Sequence, residues 1–162
     1  RRAMKKILLA GAASAALCLP AFAADTRVAG VDVEFDLEAV KSKEAAAFWS
    51  DLENDLESAI ILRVGDRTGK TGSHIRIDID EFSMANSFQS AMGADSRLMG
   101  DINVRHDTDR TKNSFYDLTI TLDEAGRVVP TEEGVDVQTV TQEAAYTALV
   151  DAFADGVVSR LR

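Results

Sequence analysis

The sequence predicts an α+β domain in which two helices cover one face of a four-stranded, mostly antiparallel sheet. Four segments alternate apolar and polar residues with a period of two, which is typical of strands with one buried face. Two longer segments carry apolar residues at three- and four-residue spacing, which indicates amphipathic helices. The elements follow the order β-α-β-β-β-α, and a two-layer sandwich is the simplest arrangement that buries all of their apolar faces.

A segment with the features of a secretory leader precedes this domain. Residues 1–23 combine four basic residues and no acidic one, an apolar stretch over residues 7–19, and the A-x-A sequence Ala21-Phe22-Ala23. The apolar stretch is shorter than the ~20 residues that a membrane-spanning helix requires. We therefore expect cleavage after Ala23, which leaves residues 24–162 as a single periplasmic or secreted domain without an integral membrane segment. Mass spectrometry of exported protein that still begins at Met4 would contradict this.

Cys18 is the only cysteine and lies within the predicted leader. A lipoprotein signal has a small residue directly before the lipidated cysteine and a leucine-like residue three positions before it, whereas Leu17 and Ala15 occupy these places. The sequence therefore favours removal of Cys18 with the leader over its lipidation. The mature chain would then contain neither a thiol nucleophile nor a disulfide, so packing would have to stabilise it.

The chain is acidic, with 27 Asp and Glu residues against 18 Lys and Arg, a net charge of -9. Because four of the basic residues and none of the acidic ones lie in the predicted leader, the mature charge would be -13. Nucleic acids and anionic lipid surfaces are bound mainly through Lys and Arg that neutralise phosphates. The composition thus argues against both and is compatible with a basic partner or a divalent cation.

The first predicted strand has one apolar face and one acidic face. Val31, Val33, Phe35 and Leu37 alternate with Asp32, Glu34, Asp36 and Glu38. The acidic face is either a sheet surface left to water or a docking surface for a basic partner. In the second case Asp32, Glu34 and Asp36 are the candidate contacts, and binding should weaken with salt.

An amphipathic helix follows, for which Ser42 is a plausible N-cap and Gly65 a C-terminal stop. Its apolar stripe consists of Phe48, Trp49, Leu52, Leu56, Ala59 and Ile60. The second strand then alternates around Ile75, Ile77 and Ile79. Beyond it Phe82 and Met84 fall on the parity that carried the polar residues, and such a one-residue slip predicts a bulge near Asp80-Glu81.

Two further strands and a second helix complete the pattern. The strands cover residues 98–106 and 116–122, with a turn over 107–113 between them. After a long connection over 123–136, a helix begins near Thr139 or Thr141, where Thr139 with Gln142 fits a capping box. Its apolar stripe runs from Tyr146 to Leu161. Gly156 within this stripe lowers the stability of the helix by ~1 kcal/mol relative to alanine, which predicts either fraying of the last turns or unusually close packing.

The segment from Phe82 to Gly100 holds the three methionines of the predicted mature chain and lacks a clear period. Phe82, Met84, Phe88 and Met92 are candidates for an adaptable partner-binding surface. The alternative is that these side chains complete the core, which is the usual position of apolar residues.

Candidates for metal ligands lie in the turn after the third strand. Asp107, Asp109 and Asn113 resemble the opening of a calcium loop, but an EF-hand would have glycine and glutamate where Lys112 and Leu118 stand. The alternative is a solvated turn rich in Asp and Asn.

The two histidines, His74 and His106, could form a zinc site only if they converge with a carboxylate such as Asp78 or Asp101. No nucleophile motif surrounds either histidine. We therefore predict no cofactor and no enzymatic activity.

Two stretches, Ile75-Arg76-Ile77-Asp78-Ile79 and Arg97-Leu98-Met99-Gly100-Asp101-Ile102, lie between the first helix and the strand-loop-helix ending. In this element order the chain resembles uncharacterised exported α+β proteins of the bacterial periplasm. More distantly, it is similar to auxiliary lipoproteins of ABC-type envelope transport and lipopolysaccharide assembly. The resemblance is one of pattern and transfers no site residues.

The leading hypothesis from the sequence is a non-enzymatic binding or accessory module of the cell envelope. Its partner would be an envelope protein or another basic molecule. The alternatives are a metal-dependent (Ca or Zn) binding protein or hydrolase and a self-associating structural envelope protein.

Overall fold

The computed structural model describes residues 26–85, 95–122 and 141–161. The strands are β1 (Val28–Phe35), β2 (Ser73–Ser83), β3 (Arg97–His106) and β4 (Ser114–Thr121). The helices are α1 (Lys43–Ala46), α2 (Leu52–Val64) and α3 (Gln142–Val158). The predicted α+β class and element order are confirmed. The predicted leader, the connection over 123–136 and Thr139 lie outside the described residues. Within the described ranges no helix is long and apolar enough to cross a membrane.

The four strands form one sheet in the order of the chain, β1-β2-β3-β4. β1 and β2 are parallel because α1 and α2 carry the chain back between them. The pairs β2–β3 and β3–β4 are antiparallel. The sheet is therefore mixed, and two of its three pairings have the predicted antiparallel direction.

β2 contains the predicted bulge. Ile79 pairs with Gly100, but the next paired residue is Glu81, which lies opposite Met99. The extra residue changes the parity of the strand, so that Ile79 and Phe82 both face the core, with 2% and 0% of their surface exposed.

The core lies between the sheet and the two long helices. α2 and α3 run in the same direction, since the Tyr146 hydroxyl donates to Asp55 near the beginning of both helices and Arg63 contacts α3 near their ends. The Arg63 guanidinium donates to Asp151 at 3.0 Å and to Asp155 at 2.5 Å. These contacts fix the two helices side by side on the same face of the sheet.

The residues that begin and end the helices agree with those predicted from the sequence at Ser42, Gly65 and Thr141. Ser42 Oγ accepts from Ala45 N at 3.1 Å, and Thr141 Oγ1 accepts from Ala144 N at 3.2 Å, so Thr141 is the N-cap of α3. Gly65 ends α2 with a φ of 56°, a conformation that favours glycine. The close packing predicted for Gly156 is confirmed, because a Cβ there would lie 3.0 Å from Leu118 Cδ2.

Two expectations about the first half of the chain are wrong. β1 ends at Phe35, so Asp36 and Glu38 do not extend its acidic face, and Leu37 is 65% exposed in a 3-10 turn. The chain turns there because Val40 rejoins the sheet beside Phe82. The predicted first helix is divided in two by a turn over residues 47–51, which leaves Trp49 44% exposed instead of buried.

Candidate functional site

The side of the sheet that faces away from the helices carries polar and charged side chains. Along β2 the buried and exposed residues alternate, so one face of this strand belongs to the core and the other to solvent. We call the second face the open sheet face, and none of the described elements covers it. Its central members are Asp32, Glu34, His74, Arg76, Asp78, Asp101, Asn103, Phe115 and Asp117.

A line of four carboxylates crosses the open sheet face. Glu34 lies opposite Asp78, Asp78 opposite Asp101, and Asp101 opposite Asp117, so every strand contributes one acidic residue. We call these four residues the acidic row. Side chains directly opposite each other on neighbouring strands have Cβ atoms about 4.5–5.5 Å apart, and like charges at such positions destabilise a sheet.

The charge of the acidic row is compensated at one end only. The Arg76 guanidinium donates a hydrogen bond to Glu34, and this bond holds the pKa of the Glu34 carboxyl below its usual value. Asp101 shows the opposite behaviour. Its pKa is raised, first by the loss of solvation, then by the neighbouring Asp117 carboxyl, and further by the charges of Asp80 and Asp78. The centre of the row therefore holds negative charge that no described cation neutralises through a salt bridge.

The surface beside this charge has a shape that suits a cationic side chain. A shallow depression of about 260 Å³ lies between Glu34, Arg76, Asp78, Asp101, Asn103 and Phe115. The Phe115 side chain is 65% exposed at its border. A lysine or arginine entering the depression would meet carboxylates at its head group and an aromatic ring along its stem.

Several of the residues predicted from the sequence lie elsewhere. Asp32 and Glu34 belong to the open sheet face, but Asp36 lies beyond the end of β1. Phe82 and Met84 are 0% and 2% exposed in the core, which is the alternative that the sequence left open. Phe88 and Met92 fall outside the described residues, and their role as contacts stays a prediction.

The sequence analysis did not identify Asp78, Asp101 and Asp117 as one group. Each occupies an outward position of an alternating strand, which is a visible signal. Their alignment depends on the register between strands, which the pattern within each strand does not reveal.

The side-chain oxygens of the predicted calcium loop already accept hydrogen bonds from other groups of the protein. Asp107 Oδ2 accepts from Gly72 N at 3.0 Å, a bond that lowers the pKa of this carboxyl, and Oδ1 lies 3.0 Å from His74 Nε2. Asp109 Oδ1 accepts from the backbone N–H and the hydroxyl of Thr111. Asn113 Oδ1 accepts from His106 N at 2.7 Å. Asp109 and Asn113 thus stabilise the turn, Asp107 connects it to the beginning of β2, and the three residues form no group arranged to hold a metal ion.

The two histidines lie on opposite faces of the sheet. His74 is on the open sheet face, whereas His106 lies opposite Ser73 on the helix side. Nδ1 of His106 accepts from the backbone N–H groups of Thr108 and Asp109. The described part of the chain contains no group of three His, Cys, Asp or Glu side chains arranged to hold a metal ion.

Neither a protein-family model nor a curated protein matches the chain. Three solved structures are similar to it at low identity. A Xanthomonas campestris protein of the family DUF330 has 11% identity over 82% of this chain and 81% of its own, with a TM-score of 0.46. An Acinetobacter baumannii minor lipoprotein has 10% identity over 82% and 91%, with a TM-score of 0.38. A lipoprotein candidate from Caulobacter crescentus has 11% identity over 81% and 86%, with a TM-score of 0.36.

Two of these names contain the word lipoprotein. At such identities and TM-scores the likeness transfers no property to this chain. Mass spectrometry of the mature protein therefore has to test whether Cys18 carries a lipid.

Proposed function

We propose that this chain is a non-enzymatic binding or accessory module of the bacterial cell envelope, which binds a basic partner through its open sheet face. The observation that carries the proposal is the acidic row, Glu34, Asp78, Asp101 and Asp117, aligned in register across all four strands. A cationic segment of a partner would neutralise the uncompensated charge at Asp78, Asp101 and Asp117.

The energetics of the row support a binding role over a structural one. Like charges placed opposite each other lower the stability of the isolated sheet. Residues that weaken a fold without a local benefit are expected mainly at functional sites. The exposed Phe115 adds apolar contact area beside the charge, as aromatic residues often do in protein interfaces.

The shape of the surface supports binding over catalysis. The row lies on a shallow, solvent-exposed sheet surface, whereas general acid and base groups usually act in enclosed pockets that perturb their pKa. The accessory role, including a place beside an envelope transport assembly, is supported by the resemblance in element order described above.

Titration of the exported protein with a lysine-rich peptide tests the proposal. We expect the triple variant Asp78→Asn, Asp101→Asn, Asp117→Asn to bind the peptide at least about tenfold more weakly than the wild type at low salt, because three interacting charges are lost. Calorimetry or fluorescence anisotropy measures the affinity, and the difference should shrink as salt increases.

The matched control is the triple variant Glu53→Gln, Asp66→Asn, Glu143→Gln. It changes the net charge by the same amount at exposed positions away from the open sheet face. Equal weakening in the two triple variants would show that only the overall charge attracts the peptide, and the proposal would then be wrong. The titrations are repeated with EDTA and with Ca²⁺, since stoichiometric Ca²⁺ binding that depends on the row would assign the site to a metal.

A single neutralisation within the row should stabilise the protein. Because the pKa of Asp101 is higher in the folded than in the unfolded chain, its ionisation destabilises the fold as the pH rises through the folded value. We therefore expect Asp101→Asn to raise the melting temperature at pH 7. The gain should disappear below the unfolded pKa of about 3.9, where the carboxyl is protonated in both states. Thermal melts at several pH values and salt concentrations measure this, and a lower melting temperature at pH 7 would contradict it.

A further inference from the structure

A second site lies at one end of the sandwich, beside the end of α3. A cavity of about 550 Å³ opens where β1 and β2 begin, β3 ends and the chain leaves α3. We call it the end cavity. The lining residues that matter here are Thr26, Ser73, Lys112, Tyr116, Ser159 and Arg160.

Two buried hydroxyl groups in the wall of this cavity have no hydrogen-bond partner, and a third, that of Tyr116, has only the Arg160 guanidinium beside it. The two unpartnered atoms are Thr26 Oγ1 and Ser73 Oγ, and Thr26, Ser73 and Tyr116 all line the end cavity. Thr26 and Ser73 are 2% and 0% exposed. Buried polar groups are nearly always hydrogen-bonded, and leaving one unpaired is unfavourable. Two such groups in the wall of one cavity indicate that it holds a polar occupant.

Two positive charges stand at the same cavity. Lys112 and Arg160 line it, and neither forms a salt bridge with a carboxylate among the described residues. The Arg160 guanidinium lies 4.9 Å from the centre of the Tyr116 ring, which holds it at the wall. Asp117 also contributes to the lining, but it lies opposite Asp101 and belongs to the open sheet face. In an acidic chain, two cations without a paired carboxylate point to an anionic occupant.

We propose that the end cavity binds a small oxyanion, with phosphate and phosphate monoesters as the chemical class. The hydroxyls of Ser73, Thr26 and Tyr116 would donate hydrogen bonds to its oxygen atoms, and Lys112 and Arg160 would neutralise its charge. Charge-assisted hydrogen bonds from a guanidinium to a phosphate are among the strongest in proteins. Ordered water could satisfy the three hydroxyls but would not account for the two cations.

The source of the phosphate group is either a soluble molecule or a lipid headgroup. The strong negative charge of the chain opposes its approach to an anionic membrane, so the soluble source is favoured. Calorimetric titrations of the exported protein with inorganic phosphate and glycerol 3-phosphate test the soluble source, and glycerol serves as the neutral control. Co-sedimentation with phosphatidylglycerol-containing vesicles, against vesicles of phosphatidylcholine alone, tests the lipid source. We expect saturable binding of the two soluble phosphates and none of glycerol.

Substitutions then place the binding in the cavity. Arg160→Gln and Lys112→Gln should each weaken phosphate binding at least about tenfold, since each removes a charge-assisted contact. Lys43→Gln, an exposed lysine in α1 at the other end of the sheet, should leave it unchanged. Unchanged binding in both cavity variants, or equal binding of glycerol and phosphate, would overturn the proposal.

Ser73→Ala provides a signature that a purely structural hydroxyl would not produce. Because the Ser73 hydroxyl has no partner in the fold, its removal should leave the melting temperature of the ligand-free protein unchanged or a few degrees higher, while phosphate binding weakens. A clear loss of stability together with unchanged binding would contradict the assignment. The outcome is independent of the open sheet face, since the double variant Asp78→Asn, Asp101→Asn, which leaves the cavity lining intact, should bind phosphate normally and the cavity variants should bind the lysine-rich peptide normally.

Discussion

Phe82→Ala is expected to lower the free energy of unfolding by about 3–5 kcal/mol, the usual cost of removing a buried aromatic ring. Phe82 is completely buried and contacts two other rings, Phe35 at a centroid distance of 6.2 Å and Tyr146 at 6.1 Å. The substitution would leave a cavity where the bulged end of β2 meets α3. Urea denaturation followed by circular dichroism measures the change.

Phe115→Ala is the matched control, because this ring is 65% exposed on β4. Its replacement should change the free energy of unfolding by less than about 0.5 kcal/mol. The pair of variants also separates the two interpretations of the segment that begins at Phe82. If Phe82→Ala were as stable as the wild type and lost only partner binding, Phe82 would belong to a contact surface instead of the core.

The sequence was sufficient to predict the parts of the fold that depend on local periodicity. The alternation around Ile77 and the change of parity at Phe82 predicted both β2 and its bulge, because a strand with one buried face must keep its apolar residues on one side. Ser42 and Gly65 marked helix ends through side-chain and backbone preferences that act within a few residues. Preferences of this kind depend on residues that are close together in the chain, so the sequence alone reveals them.

The sequence was insufficient where distant segments determine the outcome. Leu37 continued the alternation of β1, yet the chain turns before it to bring Val40 beside Phe82. The apolar spacing also included Trp49, which a break between α1 and α2 leaves exposed. Both differences arise because tertiary pairing overrides a local pattern that continues slightly too far.

The candidate sites depend even more on long-range register. One acidic residue on each strand is unremarkable until pairing places all four in a line. The end cavity joins Thr26, Tyr116 and Arg160, which are far apart in the chain. No local pattern could have assembled these groups, and this explains why the sequence predicted only the Glu34 end of the acidic row.

Gly100→Ala is the second substitution for which a large effect is expected, a loss of about 1–3 kcal/mol typical of an overpacked site. A Cβ at this position would lie 2.6 Å from the backbone oxygen of Asp78 and 3.1 Å from Ile79 Cδ1. Glycine is otherwise unfavourable inside a strand, so alanine would stabilise β3 if space were available. A measured loss of stability would therefore report the close approach of the β2 backbone at the bulge.

Gly156→Ala in α3 supplies the comparison for Gly100→Ala. Its Cβ would lie 3.0 Å from Leu118 Cδ2, which is the end of a flexible side chain and can move, whereas Asp78 O belongs to the sheet backbone and cannot. The helix would gain up to ~1 kcal/mol from the replacement of glycine, which offsets the crowding. We therefore expect a change within about 1 kcal/mol for Gly156→Ala and a distinctly larger loss for Gly100→Ala in the same denaturation assay. Since Gly100 directly precedes Asp101, a shift of β3 should also weaken peptide binding to the acidic row. Equal effects of Gly100→Ala and Gly156→Ala on stability and on binding would refute the close approach of the β2 backbone to Gly100.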